Sequence, residues 1–331
     1  MARGILDCVG GTPLVELTGF LRDIPARVFA KLEFLNPGGS IKDRTALSMV
    51  ADKVRSGELV PGLSHVVESS SGNLAVGLAQ VCRYHGLRLT CVVDAKTTPQ
   101  NLAILAAYGA EVEVVRDPDP STGELLPVRL ARVQELLAES PHAYWPNQYA
   151  NPRNPSAHHR TMSEIVDRVG VPDVLVCATG TCGTIVGISG YVRRHALATR
   201  VVGVDAVGSV IFGDDARPRL IPGHGASRRP DLLGMDDPGD IVHVSDLDCV
   251  VGCRRLMARE AILAGGSSGA VVSALERLRD AIPAGATVVL ILADRGERYL
   301  HSVYDDSWVA RNFGEVSHLW NESGLVSSGR R

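Results

Sequence analysis

The feature that most constrains this chain is a repeated alternation of short apolar runs with longer amphipathic stretches. Runs of strand length read at 89–94 (LTCVVD), 111–115 (EVEVV), 173–178 (DVLVCA), 200–206 (RVVGVDA) and 287–293 (TVVLILA). Between them, helical spacing of apolar residues reads over 45–56, 74–85, 99–108, 125–139, 184–195, 256–264 and 269–281. The 99–108 helix has Thr98 as its cap, proline at its first position and Gly109 after its end. Strands that are apolar nearly throughout, alternating with helices, predict parallel sheets covered on both faces, an α/β architecture. Residues 141–160 (PHAYWPNQYANPRNPSAHHR) break the pattern and read as an irregular crossing between two such units. Periodicity also fades from about Asn312, which reads as a mobile tail.

Composition removes several classes. The 331 residues are enough to bury a substantial core, and 34 Lys and Arg against 37 Asp and Glu give a net charge of −3. Basic residues never run beyond a pair, so the footprint of a nucleic-acid binder is missing. The longest apolar runs are too short to cross a bilayer, and MARGILDCVGGTP lacks the apolar core of a signal peptide. A cytoplasmic protein with neither nucleic-acid nor membrane partners is expected. The seven cysteines are odd in number and fit no zinc spacing, so they are expected free, with no metal site.

Glycine- and serine-rich turns stand ahead of four of the helices: NPGGSIKDR (36–44), ESSSGN (68–73), ATGTCGT (178–184) and GGSSGA (265–270). Helix N-termini carry unpaired N–H groups and partial positive charge, so these turns suit phosphate or carboxylate. Four of them point to a ligand with several anionic groups. None is a Walker-type phosphate loop, since Lys42 is followed by Asp43, and none has the dinucleotide-binding G-x-G-x-x-G spacing.

In order, spacing and position, GGSIKDR, SSSGN, GTCGT and GGSSGA resemble the pyridoxal-phosphate enzymes of the cysteine synthase and cystathionine β-synthase family, of fold type II. The resemblance runs from about Leu6 to Trp308. It implies two parallel-sheet α/β domains with pyridoxal 5'-phosphate in the cleft between them. A smaller mobile domain is expected over 37–147, a larger cofactor-anchoring domain over 1–36 and 148–312, and a flexible tail over 313–331. The segments LTCVVDAK, AYWPNQYAN, VDAVGSVIFGD, GHGASRRP and DRGERYL are similar to one branch in particular. That branch joins O-phospho-L-serine to L-glutamate by β-replacement, toward 2,3-diaminopropionate for siderophores or peptide antibiotics.

The resemblance implies roles residue by residue. Lys42 is the Schiff-base lysine and general base, work an amine does only when its pKa is depressed. Asn73 bonds the cofactor's ring oxygen, with an ordinary helix cap as the other reading. Gly180, Thr181, Cys182, Gly183 and Thr184 form the phosphate cup, and Ser267 partners the pyridine nitrogen. A hydroxyl there does not enforce a protonated ring, which suits β-elimination. Ser70, Ser71 and Gly72, assisted by Gln148, grip the substrate α-carboxylate. Leu74 and Ala75 replace the threonine and glycine of many relatives, a departure shared with that branch. Arg129 and Tyr149 suggest contact with an acidic substrate or the leaving phosphate, a solvated helix charge being the alternative for Arg129. Arg228 sits in a loop bordering the site entrance. Cys182 acts through its backbone or as a reactive thiol. Asp294 and Arg295 line the sheet's end near the ring or form a structural salt link, and His158 with His159 read as a surface pair at a helix start. Small amino acids are the expected partners, in a homodimer. Rival readings are a cysteine synthase using O-acetylserine or O-phosphoserine with sulfide, a cystathionine β-synthase-like enzyme, a dehydratase, and a non-catalytic cofactor-binding protein.

Overall fold

A computed structural model describes residues 3–19, 24–95, 97–120, 123–235 and 239–321. In chain order its elements begin β1 (Leu14–Glu16), β2 (Arg27–Leu32), α1 (Lys42–Arg55), β3 (His65–Glu68), α2 (Asn73–His85) and β4 (Arg88–Asp94). They continue through α3 (Pro99–Tyr108), β5 (Glu111–Val115), α4 (Leu125–Glu139), β6 (Ala143–Tyr144), α5 (Arg153–Val169), β7 (Val174–Ala178) and α6 (Gly183–Arg194). The last are β8 (Arg200–Ala206), β9 (Asp240–Val244), α7 (Asp246–Glu260), α8 (Gly266–Leu278), β10 (Thr287–Leu292) and α9 (Asp306–Phe313).

The strands make two sheets. Six are ordered β1-β2-β10-β7-β8-β9, parallel except for β1. Four more, β5-β4-β3-β6, are all parallel. Central β10 shows why its sequence is apolar throughout. Val288, Leu290 and Leu292 enter the core built with Val250, Leu256 and Val271 of α7 and α8. Val289 and Ile291 point the other way, into the core of Met162, Ile165 and Ile185 from α5 and α6. In the smaller sheet, Val66 and Leu89 pack beneath Met49 of α1 and Leu78 of α2, while Val67 and Val92 meet Val133 and Leu136 of α4.

The α3 prediction holds to the residue. Thr98 Oγ1 accepts from Asn101 N at 3.3 Å and Gly109 closes the helix at φ +78°. Elsewhere tertiary packing overrode the pattern. The stretch read as irregular contains the start of α5, with Pro155 in the first turn, where a missing N–H removes no intrahelical bond. Helix α7 begins at Asp246, well before the predicted 256, behind a capping box between Ser245 and Asp248. Strands β1, β2, β3 and β9 were not distinguished in the sequence from their loop surroundings; β3 offers only HVVE. The chain is packed beyond the point where periodicity faded: Arg255 Nη2 donates to Leu319 O at 2.8 Å, and Arg254 stacks 5.4 Å from the Trp320 ring centre. The rest of the expected tail, 322–331, lies outside the described residues.

Candidate active site

The site forms at the carboxyl ends of β10 and β7, where open α/β sheets bind ligands. The GGSIK turn is stitched there by Ile41 N donating to Ala293 O at 2.8 Å and by a bridge between Ser40 and Asp294. Those bonds place Lys42 at the start of α1 with its amine buried. Burial lowers the Lys42 pKa, while the nearby Asp294 carboxylate pulls the other way.

Facing it, Gly180, Thr181, Cys182, Gly183 and Thr184 line a cavity shared with Lys42 and Gly223. Cys182 sits in the left-handed region at φ 63° and launches α6, whose first N–H groups lack intrahelical partners. The turn is held from below by Asn154, fully buried in α5. Its Nδ2 donates to Gln148 O at 2.7 Å and to Thr181 Oγ1 at 3.2 Å, and its Oδ1 accepts from Thr45 Oγ1 at 3.1 Å. His158 is also fully buried, with Nε2 3.3 Å from Thr45 Oγ1 and 3.4 Å from Thr184 Oγ1. The surface-pair reading is therefore corrected for His158. Because α5 starts at Arg153, position 158 shares its inward stripe with Asn154, Thr161 and Ile165. Cys182 is buried, and burial pushes its thiol well above its usual range, which works against a reactive thiol.

The other two turns converge on Asp294, which is buried and accepts from Asn73 Nδ2 at 2.9 Å, Tyr299 OH at 2.7 Å and Ser267 Oγ at 3.4 Å. Asn73 opens α2 and also accepts from Arg298, which donates to Gly38 O at 2.8 Å. Asp294 is thus the hub joining Asn73 to Ser267, while Arg295 Nε donates to Phe34 O at 3.0 Å. Burial raises the Asp294 pKa, opposed by its bonds from Asn73 and Tyr299.

Ser70, Ser71 and Gly72 form the turn between β3 and α2, with Asn101 Nδ2 donating to Ser71 O at 2.9 Å. Leu74 and Ala75 belong to the core rather than the turn's polar rim. Sequence reasoning missed Glu68, whose Oε1 accepts from Ser69 N at 2.9 Å and Trp145 Nε1 at 3.0 Å. Burial pushes Glu68 up to about 7, and the neighbouring indole and backbone N–H groups of Ser69, Gln148 and Asn147 oppose that rise. The only signal was a carboxylate immediately before SSSGN. Arg129 is not a solvated helix charge: it pairs with Asp94 at 3.2 Å, both side chains 15% exposed. Tyr149 is half-buried under the Arg228 guanidinium, 4.8 Å from the ring centre.

This fold and this paired-turn site define a pyridoxal-phosphate dependent enzyme, and the chain belongs to that family: the family model matches residues 5–294. Among curated relatives, N-(2-amino-2-carboxyethyl)-L-glutamate synthase of Ralstonia nicotianae is 52% identical, over 94% of this chain and 92% of its own. The protein of the same name from Cupriavidus metallidurans is 48% identical, again over 94% and 92%. Similar solved structures include an O-acetylserine dependent cystathionine β-synthase from Helicobacter pylori, with TM-score 0.84 and 30% identity over 91% of this chain and 98% of that one. An O-ureido-L-serine synthase aligns with TM-score 0.82 and 32% identity, covering 94% and 99%.

The residues present fit the cofactor. A Cβ on Gly180 would meet nothing nearer than 3.8 Å, so the turn is open there, beside the first N–H groups of α6 and two threonine hydroxyls that suit an anion. A buried amine opposite that cradle is what a carbonyl cofactor requires. No helix among the described residues is long and apolar enough to cross a membrane.

Proposed function

We propose that this chain joins O-phospho-L-serine and L-glutamate, releasing phosphate and N-(2-amino-2-carboxyethyl)-L-glutamate for 2,3-diaminopropionate supply to siderophore or peptide antibiotic synthesis. The observation that carries this reading is the Lys42 amine buried opposite the 180–184 turn, in a chain about half identical to synthases of that name. Lys42 would hold the cofactor covalently, residues 180–184 its phosphate, and Asn73 and Ser267 its ring. When bound, the cofactor withdraws electrons from the substrate's Cα. Lys42 Nζ, freed when the donor's amino group takes its place and with its basicity reduced by burial, takes the Cα proton and later returns it. Ser70, Ser71, Gly72 and Gln148 orient the α-carboxylate, and Arg129 and Tyr149 contact the acidic substrate or the leaving phosphate. The phosphate leaves Cβ, and the glutamate amine forms the new C–N bond there, losing a proton. Residues 37–147 are proposed to move as the smaller domain in a cytoplasmic homodimer.

Incubation with O-phospho-L-serine and L-glutamate should release phosphate and yield the coupled product by mass spectrometry. Turnover with sulfide or homocysteine but not glutamate would replace this reading with a cysteine or cystathionine synthase, and steady keto-acid release with a dehydratase. Lys42→Ala should abolish turnover yet leave a folded protein that holds free cofactor. Appreciable turnover by that variant would overturn the assignment.

A further inference from the structure

A separate cavity of about 590 Å³ opens along the seam between the two sheets. One wall comes from the smaller-sheet side, with Asp94 at the end of β4 and Leu125 and Arg129 on α4. The opposite wall is the connection between β8 and β9, which presents Arg217, Arg219 and Ser227. Within that connection the segment RPRLIPGHGASRRP carries Arg217, Arg219, Arg228 and Arg229 and no carboxylate, with Asp214 and Asp215 ahead of it and Asp231 after it.

The charges differ in how they are satisfied. Arg129 is neutralised by Asp94 at 3.2 Å, and Arg228 lies 3.7 Å from Asp231. Among the described residues, no carboxylate lies within ion-pair distance of Arg217 or Arg219. The other acid lining the cavity, Glu124, has contacts of its own. Arg217 and Arg219 therefore line this cavity with no carboxylate paired to either among the described residues.

Arg219 is also held in place. Its Nη1 donates to His224 O at 3.2 Å, and Leu220 N and Ile221 N donate to the Asp246 carboxylate at 2.9 and 3.0 Å. Gly225 N donates to Thr179 O at 2.7 Å, one residue before the 180–184 turn, and Gly223 lines the Lys42 cavity. The segment 219–225 thus forms a common wall between the arginine-lined cavity and the reaction site. Tyr149 falls within electrostatic reach of Arg129, Arg228 and Arg219, which joins the same walls through the residue next to Gln148.

We infer that Arg217 and Arg219 form the subsite for the side-chain carboxylate of an acidic amino-acid acceptor, making the β8–β9 connection the element that selects the second substrate. The inference rests on the β-replacement reading above. Guanidinium forks bind carboxylates in bidentate fashion, and a neutral or small acceptor has nothing to offer them. Discrimination for glutamate then arises from charge placed on the larger-sheet side, separate from the turns that orient the donor.

The test varies both substrates in steady state for wild type, Arg219→Leu, Arg219→Lys and Arg217→Ser, with glutamine as the neutral competing acceptor. In Arg219→Leu the KM for glutamate should rise about ten- to hundredfold, the scale of a lost charged hydrogen bond. The KM for O-phospho-L-serine should move less than threefold, and preference for glutamate over glutamine should fall with it. Arg219→Lys should recover part of the loss. Arg217 has an exposed side chain, so Arg217→Ser keeps the test valid should the Arg219 variants fail to fold. An equal rise in the O-phospho-L-serine KM, or unchanged acceptor preference, would overturn the subsite. A wild type that turns over with sulfide but never with glutamate would overturn the underlying reading too, and is recognisable because it appears before any substitution.

Discussion

Gly183→Ala is the substitution whose cost follows most directly from the geometry. Gly183 is the first residue of α6, and an alanine there would by propensity alone gain about 0.5–1 kcal/mol. Packing reverses the sign. A Cβ at this position would lie 2.0 Å from Asn154 Oδ1 and 2.3 Å from its Cγ. Asn154 is fully buried and cannot swing to water. It must surrender its bonds to Gln148 O, Thr181 Oγ1 and Thr45 Oγ1, each worth about 1 kcal/mol, on top of about 1–3 kcal/mol of overpacking. The expected net loss is about 3–5 kcal/mol in denaturant unfolding, with weaker cofactor affinity in an absorbance titration, because the same bonds position the 180–184 turn. A double-mutant cycle isolates the cause. Asn154→Ala loses the bonds but opens space for the methyl group, so the double variant should be no less stable than Asn154→Ala alone. Stability of Gly183→Ala within about 0.5 kcal/mol of wild type, or strict additivity of the two losses, would refute the reasoning.

Two carboxylates should titrate with opposite consequences. Glu164 bonds Arg44 Nη2 at 2.6 Å and Lys31 Nζ at 2.7 Å, and these partners hold it at about 2, below its ordinary 4.5. Its stabilisation is present above 4.5 and is lost as pH falls toward 2, so Glu164→Gln should cost about 3 kcal/mol at neutral pH and flatten the acid limb of a stability–pH curve. An unchanged acid limb would exclude the network as its source. Glu68, raised by burial from 4.5 to about 7, works the other way: wild-type stability should decline as pH rises through about 7, and Glu68→Gln should remove that decline in unfolding measured between pH 5 and 8. The seven cysteines are free, and only Cys8 is exposed. Brief iodoacetamide treatment of the native protein should label Cys8 alone by peptide mapping, and labelling of Cys182 would contradict its burial.

The α/β class, the helix α3 with its caps, the limits of α4 and the four anion-ready turns were legible in the sequence because each depends on local information: periodicity, capping residues and glycine at turns. Tertiary structure decided what those turns share. Asn73 and Asp294 bond across a separation of 221 residues, and no local pattern foretells that one buried aspartate will join three of the turns, two through its carboxylate and one through its backbone. The same holds for Arg129, whose place on an amphipathic helix allows either solvent or an ion pair until β4 brings Asp94 beside it. His158, read as a surface residue at a helix start, lies well inside α5 because that helix already begins at Arg153, and the burial of this imidazole comes only when α1 and α6 close over α5. Chemistry-bearing residue types can be read from a chain, but which of them are desolvated, paired or left facing a cavity depends on contacts between distant segments, and those exist only once the sheets and their covering helices have packed.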